Sequence, residues 1–327
     1  MKISKNGLRR RADMIRPPVI CRGGEDLIRK NLRKYGFFYL LILPGVLYLI
    51  LFKYLPLAGL TIAFKQYQPS MGFDGIFTSK WVGLKHFRKF MGSYYFGEIM
   101  RNTLFISFAK FLIGFPFPIL IAIMLNDLKN KYFKKFAQTV SYMPNFMSWV
   151  IVSGIIVAIF STDGAVNNVL TSFGRPAVSF LSQSDSFLKI IIVSDVWKYA
   201  GWDSIIYSAA IMSIDPALYE AAAMDGAGKL RQIWHVTLPG IWTVIAITLI
   251  LRMGGILEAG FEQILMLYSP AVYDVADIID TYVYREGLQL ANYSFSTAVG
   301  LFKSVLAAIM VLITNFISKR VSGEGLW

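Results

Sequence analysis

The sequence predicts an all-α, polytopic membrane protein with six transmembrane helices and both termini cytoplasmic. Composition is the first sign: 55% of the residues are hydrophobic and only 16% charged, at a mean hydropathy of +0.52. A soluble domain is about 25% charged. The second is six apolar stretches, at 36–54, 102–125, 137–160, 187–211, 241–265 and 295–318. Each is close to the ~20 residues that cross ~30 Å of hydrocarbon as a helix. The third is the placement of cations. With the N-terminus inside, 19 of the 33 Lys and Arg fall in the cytoplasmic pieces 1–35, 126–136, 212–240 and 319–327. Only 8 fall in the outer pieces 55–101, 161–186 and 269–294, the positive-inside bias. The formal charge of +13 therefore points to membrane lipid and not to nucleic acid.

The organisation follows: a basic cytoplasmic tail (1–35), a six-span domain (36–318) with a polar loop at 212–240, and a short cytoplasmic tail (319–327). The basic start LRRRADMIR precedes an apolar run too long for a secretory h-region of about 7–15 residues, so it reads as a retained first span. The one cysteine, Cys21, lies in the tail, which excludes an intrachain disulfide. Neither the 35-residue tail nor the 47-residue outer piece is long enough for a sizeable core of its own. In that outer piece KWVGLKHFRKF sets Trp81, Leu84, Phe87 and Phe90 at i+3 steps opposite Lys85 and Lys89. It predicts a loosely amphipathic helix for the membrane interface or for a partner protein.

The second span carries Pro116 and Pro118, and the third Pro144. Each breaks a backbone hydrogen bond and can kink a membrane helix. Lys110 and Lys303 are single cations in apolar runs and are expected to pair with neighbours or to snorkel. The fourth span is the most polar. Asp195, Lys198, Tyr199, Trp202 and Ile206 recur at i+3 and i+4 and so share a face, with Asp203 and Tyr207 flanking it. Ionisable groups inside spans are functional candidates by default. Acid, amine and flat ring together suit a sugar, whose hydroxyls take hydrogen bonds and whose C–H faces lie on aromatic rings. A simple Asp195–Lys198 pair is the competing explanation.

The fifth span offers Arg252, Gly254, Gly255, Glu258, Glu262 and Gln263. Glu258 and Glu262 stand one turn apart, with Arg252 about 120° around from Glu258. Lining a pathway and bracing a subunit interface both remain open, and the two glycines permit a close approach or a bend. Before the sixth span, Asp274, Asp277 and Asp280 at i+3 steps predict a solvated acidic ridge without the ligand order of an EF-hand. No metal-spacing cluster, triad or nucleophile elbow is visible, and His86 and His235 fall on opposite sides of the bilayer.

The loop EAAAMDGAGKLRQIWHVTLPG (220–240) separates the fourth and fifth spans. Asp215 as N-cap and Pro216 at the first helical position start a helix through PALYEAAAMD. Gly226 and Gly228 stop or bend it, and KLRQIWHVTL forms a second short helix to Pro239. Ala221, Ala222 and Ala223 make a thin face with Glu220 beside it, which is chemistry for docking and not for catalysis. An ordinary loop helix shielding the bundle is the alternative.

Glu220-Ala221-Ala222, Asp225-Gly226-Ala227 with Gly228, the apolar pair Ile233 and Trp234, and Leu238-Pro239 resemble the EAA loop of ABC importer permeases. WVGLKHF (81–87), RNTLFIS (101–107), IDTYVYREGL (279–288) and the ending GEGLW extend the resemblance from about residue 35 onward. Together they resemble the carbohydrate branch of the binding-protein-dependent type I importers, the maltose and alginate type. The resemblance implies the type I permease fold, a bacterial inner-membrane location and alternating access for an oligosaccharide. It also implies a second homologous permease subunit, two cytoplasmic ATPase subunits and an extracytoplasmic solute-binding protein. The coupling helix would dock into an ATPase cleft, with ATP and Mg on that partner. This chain lacks a GxxxxGK[ST] phosphate loop, so no cofactor and no catalytic residue are expected in it. Lys198 and Arg252 leave an acidic sugar open. An ion-coupled secondary sugar transporter is the alternative, and it would need its own coupling-ion site, often within inverted repeats that are not evident here.

Overall fold

The computed structural model describes residues 24–322. The expectations for residues 1–23, Cys21 included, and for 323–327 lie outside the described residues. Among the described residues all regular structure is helical, with one isolated bridge between Lys65 and Trp81. The chain divides into two compact units between Gly59 and Leu60.

Helix α1 (Gly24–Leu49), in the first unit, carries Pro44 inside it and runs on through a π turn, Ile50–Tyr54, into a 3-10 helix, Leu55–Phe64, that crosses the boundary. The apolar stretch is Lys34–Phe64, longer at both ends than the predicted 36–54. Phe37, Leu40 and Phe52 are each about two-thirds exposed, at 69%, 64% and 65%. Large apolar side chains displayed along a whole helix suit lipid or another membrane subunit.

The second unit contains the other predicted spans, and three of them are divided. The second span is α3 (Phe96–Gly114) followed by α4 (Pro116–Asp127), which join at Phe115 where Pro116 opens the new helix. The third is not one helix. α5 (Lys131–Tyr142) ends in a 3-10 turn, Met143–Phe146, that contains Pro144. The chain restarts at Ser148, whose hydroxyl accepts from the Ile151 amide at 3.4 Å and caps α6 (Trp149–Phe160). The missing amide hydrogen of Pro144 explains the break. The apolar run here is Trp149–Ser172, which takes in α7 (Ala165–Ser172). The fourth span is the unbroken 29-residue α8 (Ser184–Met212). The fifth is broken at residues 255–260, between α11 (Trp242–Gly254) and α12 (Phe261–Leu267). Gly260 there sits at φ +91°, a backbone that favours glycine. The sixth is α15 (Tyr293–Ser322).

Among the described residues, four stretches are long and apolar enough to cross a membrane: Lys34–Phe64, Phe96–Asp127, Trp149–Ser172 and Tyr293–Phe316. A fifth forms if Lys229–Gly240 and Trp242–Gly254, bent by 64°, count as one. α8 is long enough but carries Asp195, Lys198 and Asp203.

One core cluster joins α3, α6, α8 and α12 through Ile106, Val152, Phe187, Ile191 and Ile264. Another corrects the outer-helix expectation. Helix α2 covers only Lys85–Met91, and its Phe90 is fully buried among Ile99, Tyr282, Phe295 and Val299. Trp81 lies before the helix, paired across the bridge with Lys65 and stacked on Phe64 at 5.6 Å. The i+3 apolar edge is thus divided, with Phe90 taken into the core and Trp81 and Leu84 left exposed, because Gly83 at φ +58° turns the chain before the helix can start. His86 donates from Nε2 to the Lys65 carbonyl at 3.1 Å, and burial holds its pKa below the ordinary value.

The expected acidic ridge is also absent. α13 (Tyr273–Ala276) ends, the backbone extends at Asp277 and Ile278, and α14 (Ile279–Tyr284) starts anew. This change of direction sends the three carboxylates to three partners. Asp274 accepts from the Ser184 hydroxyl at 3.0 Å, Asp277 from Thr281 at 2.7 Å and Arg285 at 2.5 Å, and Asp280 from Lys303 at 2.7 Å. Asn102, 3% exposed, fastens the same segment by donating to the carbonyls of Asp274 at 3.1 Å and Asp277 at 3.2 Å. Asn102→Leu strips the Asp277 carbonyl of its side-chain donor and leaves the Asp274 carbonyl to Arg101 at 2.6 Å. It should cost about 1–3 kcal/mol, read as a lowered melting temperature of the detergent-purified chain.

Candidate functional site

A cavity of about 840 Å³ opens between α3, the start of α6, α8, the interrupted fifth span and α15. Asp195 is eleven residues into α8 and Lys303 ten into α15. At ~1.5 Å per residue both sit ~15 Å from the helix starts.

The interruption of the fifth span is held by a buried polar knot. Lys110, its side chain 8% exposed, pairs with Asp195 at 3.1 Å and donates to the Ala259 carbonyl at 2.9 Å and to Gln263 Oε1. Gln263 is fully buried, and its Nε2 donates to the Ile191 carbonyl and the Ser194 hydroxyl, both at 2.8 Å. A Cβ built on Gly260 would collide with the Lys110 ammonium. α3, α8 and the 255–260 break are thereby tied at one point. Arg252 pairs with Asp203 and Lys303 with Asp280. Glu258 and Glu262 line the cavity with no ion pair or hydrogen bond among the described residues. Trp149 donates from Nε1 to the Tyr199 hydroxyl at 3.1 Å on the cavity wall.

Of the residues singled out in the sequence, Asp195, Tyr199, Arg252, Glu258 and Glu262 meet at this cavity. Lys198 does not line it. It is 4% exposed and donates to the carbonyls of Pro144 at 3.3 Å, Asn145 at 3.2 Å and Met147, with Trp149 and Tyr199 ring centroids at 5.5 and 5.2 Å. It thus satisfies carbonyls orphaned where Pro144 ends the helix. The Asp195–Lys198 pair is therefore not formed: Asp195 belongs to Lys110 and Lys198 to a backbone turn. Trp202, Asp203 and Tyr207 line a separate concavity of about 570 Å³ that shares Arg252 with the first. Trp202 packs on Phe146 at 5.2 Å, and the Tyr207 hydroxyl bonds Thr248 at 2.8 Å. The helical angle between Arg252 and Glu258 has no meaning here, because α11 ends at Gly254. Lys110 and Lys303 pair with neighbours, as expected of lone cations in apolar runs. Their place at the cavity was not legible, since the residues opposite them are remote in sequence.

The loop at 212–240 forms as its residues dictate. The Asp215 carboxylate accepts from the Ala217 amide at 2.9 Å, and Pro216 opens α9 (Pro216–Met224). Gly226 at φ +73° ends it, with the Ala227 amide donating to the Ala222 carbonyl at 2.9 Å. α10 (Lys229–Gln232) continues through a π turn, Ile233–Thr237, into Leu238–Gly240. The pair is pinned together by Tyr219 and Thr237 hydroxyls at 3.0 Å, and to the end of α4 by Lys229 with Asp127. No residue of α9 is buried. Met224, Leu230 and Trp234 stand 83%, 75% and 67% exposed. Polar loops seldom display three large apolar side chains without a partner for them.

A helical protein with several apolar spans, a charged cavity among them and an exposed helix pair between two of them has the build of a membrane subunit of a transporter. The chain belongs to the family of binding-protein-dependent transport system inner membrane components, whose match covers residues 114–323. It is therefore a multi-pass inner-membrane protein and a non-catalytic transport component. It is 46% identical over 302 residues, 92% of each chain, to the polygalacturonan/rhamnogalacturonan transport system permease protein YteP of Bacillus subtilis. It is 42% identical over 311 residues to protein LplB of the same organism, covering 95% of this chain and 97% of that one. Among solved structures it superposes, at a TM-score of 0.82 and 44% identity, on a chain of a bacterial ABC transporter involved in the import of the acidic polysaccharide alginate. The match covers 90% of this chain and 99% of that one. A chain of a bacterial alginate ABC transporter in complex with an alginate pentasaccharide-bound periplasmic protein matches at 43% identity and a TM-score of 0.82, covering 91% of this chain and 99% of that one. The fold is that of the type I ABC importer permeases.

Proposed function

We propose that this chain is one half of the translocation pathway of an ATP-driven carbohydrate importer and takes its motion from a separate ATPase through α9. One observation carries the reading: the Glu220-Ala221-Ala222 helix is exposed on its outer side yet pinned to the bundle that holds the cavity. A rigid peg with a free face transmits movement, whereas a flexible loop would absorb it. The docking residues are Glu220, Ala221, Ala222, Asp225, Gly226, Ala227 and Gly228, with Leu238 and Pro239 closing the motif at the bend. The cargo residues are Asp195, Tyr199, Arg252, Glu258 and Glu262. Relatives named for polygalacturonan/rhamnogalacturonan transport and for alginate import support an oligosaccharide cargo.

The complete machine has six spans in this chain with both termini cytoplasmic, and a second homologous permease. Two ATPase subunits bind ATP and Mg, and a solute-binding protein outside delivers the cargo. ATP closes the ATPase dimer, the pegs move together, and the cavity opens outward. Such a motor biases the gate only through differential contact with the two states. A crosslinker on Ala222→Cys, in a Cys21→Ser background, should capture an ATPase subunit in native membranes, and reconstituted vesicles should take up sugar only with ATP. Uptake by the purified chain alone, driven by an ion gradient, would establish the secondary transporter instead.

A further inference from the structure

The cavity is rich in charge, yet it offers cargo no free cation. Among the described residues, the basic side chains on its wall are Lys110, Arg252 and Lys303, each already ion-paired, with Asp195, Asp203 and Asp280. Lys198, next to Tyr199 on α8, is turned away to the carbonyls of 144, 145 and 147. Two carboxylates on the wall, Glu258 and Glu262, make no ion pair or hydrogen bond among the described residues. An ionised carboxylate accepts through two oxygens and donates nothing. It therefore complements vicinal sugar hydroxyls and repels another carboxylate. A uronate would face like charge at low dielectric, or would have to break a buried pair to gain a cation. Tyr199, Phe261 and Tyr284 add flat apolar faces suited to the C–H side of a pyranose.

We propose that this half of the cavity selects neutral oligosaccharides, held by their hydroxyls on Glu258 and Glu262, and discriminates against uronate chains. The inference rests on the cavity being the cargo path, and it departs from the acidic cargo for which the alginate transporter is named. Substrate choice then turns on which of the wall's charges are neutralised within the chain, not on how many charges it has.

The test uses the importer purified with its partner subunits and solute-binding protein and reconstituted in vesicles. ATP-dependent uptake is compared across neutral arabino-, xylo-, galacto- and gluco-oligosaccharides and across oligogalacturonate and alginate fragments of equal length. The best neutral sugar should be taken up at least tenfold faster than any uronate. Glu258→Gln/Glu262→Gln should narrow that ratio at least fivefold with the solute-binding protein unchanged, which separates the cavity's choice from the binding protein's. Uronate uptake as fast as the best neutral sugar, or an unchanged ratio in the double variant, overturns the proposal. ATP-dependent uptake of no carbohydrate at all overturns instead the reading of the chain as a sugar permease.

Discussion

Glu220→Lys is expected to abolish cargo-stimulated ATP hydrolysis by the assembled importer while the chain still folds and inserts. The separation of the two outcomes follows from the environment of Glu220. It is exposed and makes no ion pair or hydrogen bond within the described chain. A surface substitution of that kind costs the fold no more than about 0.5 kcal/mol. Reversing a charge buried against a docked partner is different, because the docked state then holds an uncompensated ion. The penalty of about 2–5 kcal/mol is roughly a 30-fold to several-thousand-fold loss of the docked state. Glu220→Gln keeps the shape and should lose less. Gly226→Val acts by geometry: at φ +73° a β-branched residue is strained, at a cost of about 1–2 kcal/mol, and the turn carrying the peg loosens. Stimulated hydrolysis measured in vesicles, with membrane insertion scored by protease protection, checks both. Wild-type stimulation in Glu220→Lys would remove α9 from the coupling path.

The loop was legible because its determinants are local. An N-cap, a proline at the first turn and a glycine at positive φ are read within ten residues, and all three stand where the sequence places them. The spans were legible as apolar mass but less so as helices. Hydropathy does not distinguish a continuous helix from two that meet at Pro144 or at the 255–260 break. The cavity was half legible. Asp195, Tyr199, Arg252, Glu258 and Glu262 betray themselves as polar residues in apolar runs. The pairs that build the wall lie far apart in sequence, 49 positions for Arg252–Asp203 and 153 for Lys110–Gln263, so no periodicity reports them. Lys198 shows the cost of that blindness: on a helical wheel it shares the cargo face, and in space it caps a broken neighbour. The acidic triplet misled for a related reason, since i+3 spacing implies a common face only if the helix continues through it.

Lys110→Met should be the most damaging single change to stability. The substitution conserves length and apolar stem, so its effect isolates the ammonium. Without it, the Asp195 carboxylate loses its cation, and Ala259 and Gln263 lose their donor inside protein. Removing one partner of a buried pair costs about 3–5 kcal/mol, and a fall on the order of 10 °C in melting temperature is the expected reading. Adding Asp195→Asn removes the uncompensated charge, so the double variant should recover part of the loss, with a coupling of about 0.5–3 kcal/mol. Gly260→Ala probes the same knot from the backbone side, since its Cβ would press on the ammonium at a left-handed φ. It should destabilise the chain in the wild type, and less so once Lys110 is Met, because one of its two penalties is then gone. Additive losses in that pair, or a Lys110→Met chain that melts with the wild type, would mean that the fifth span is broken there by its glycines alone. The charges at the cavity would then be bystanders to its shape.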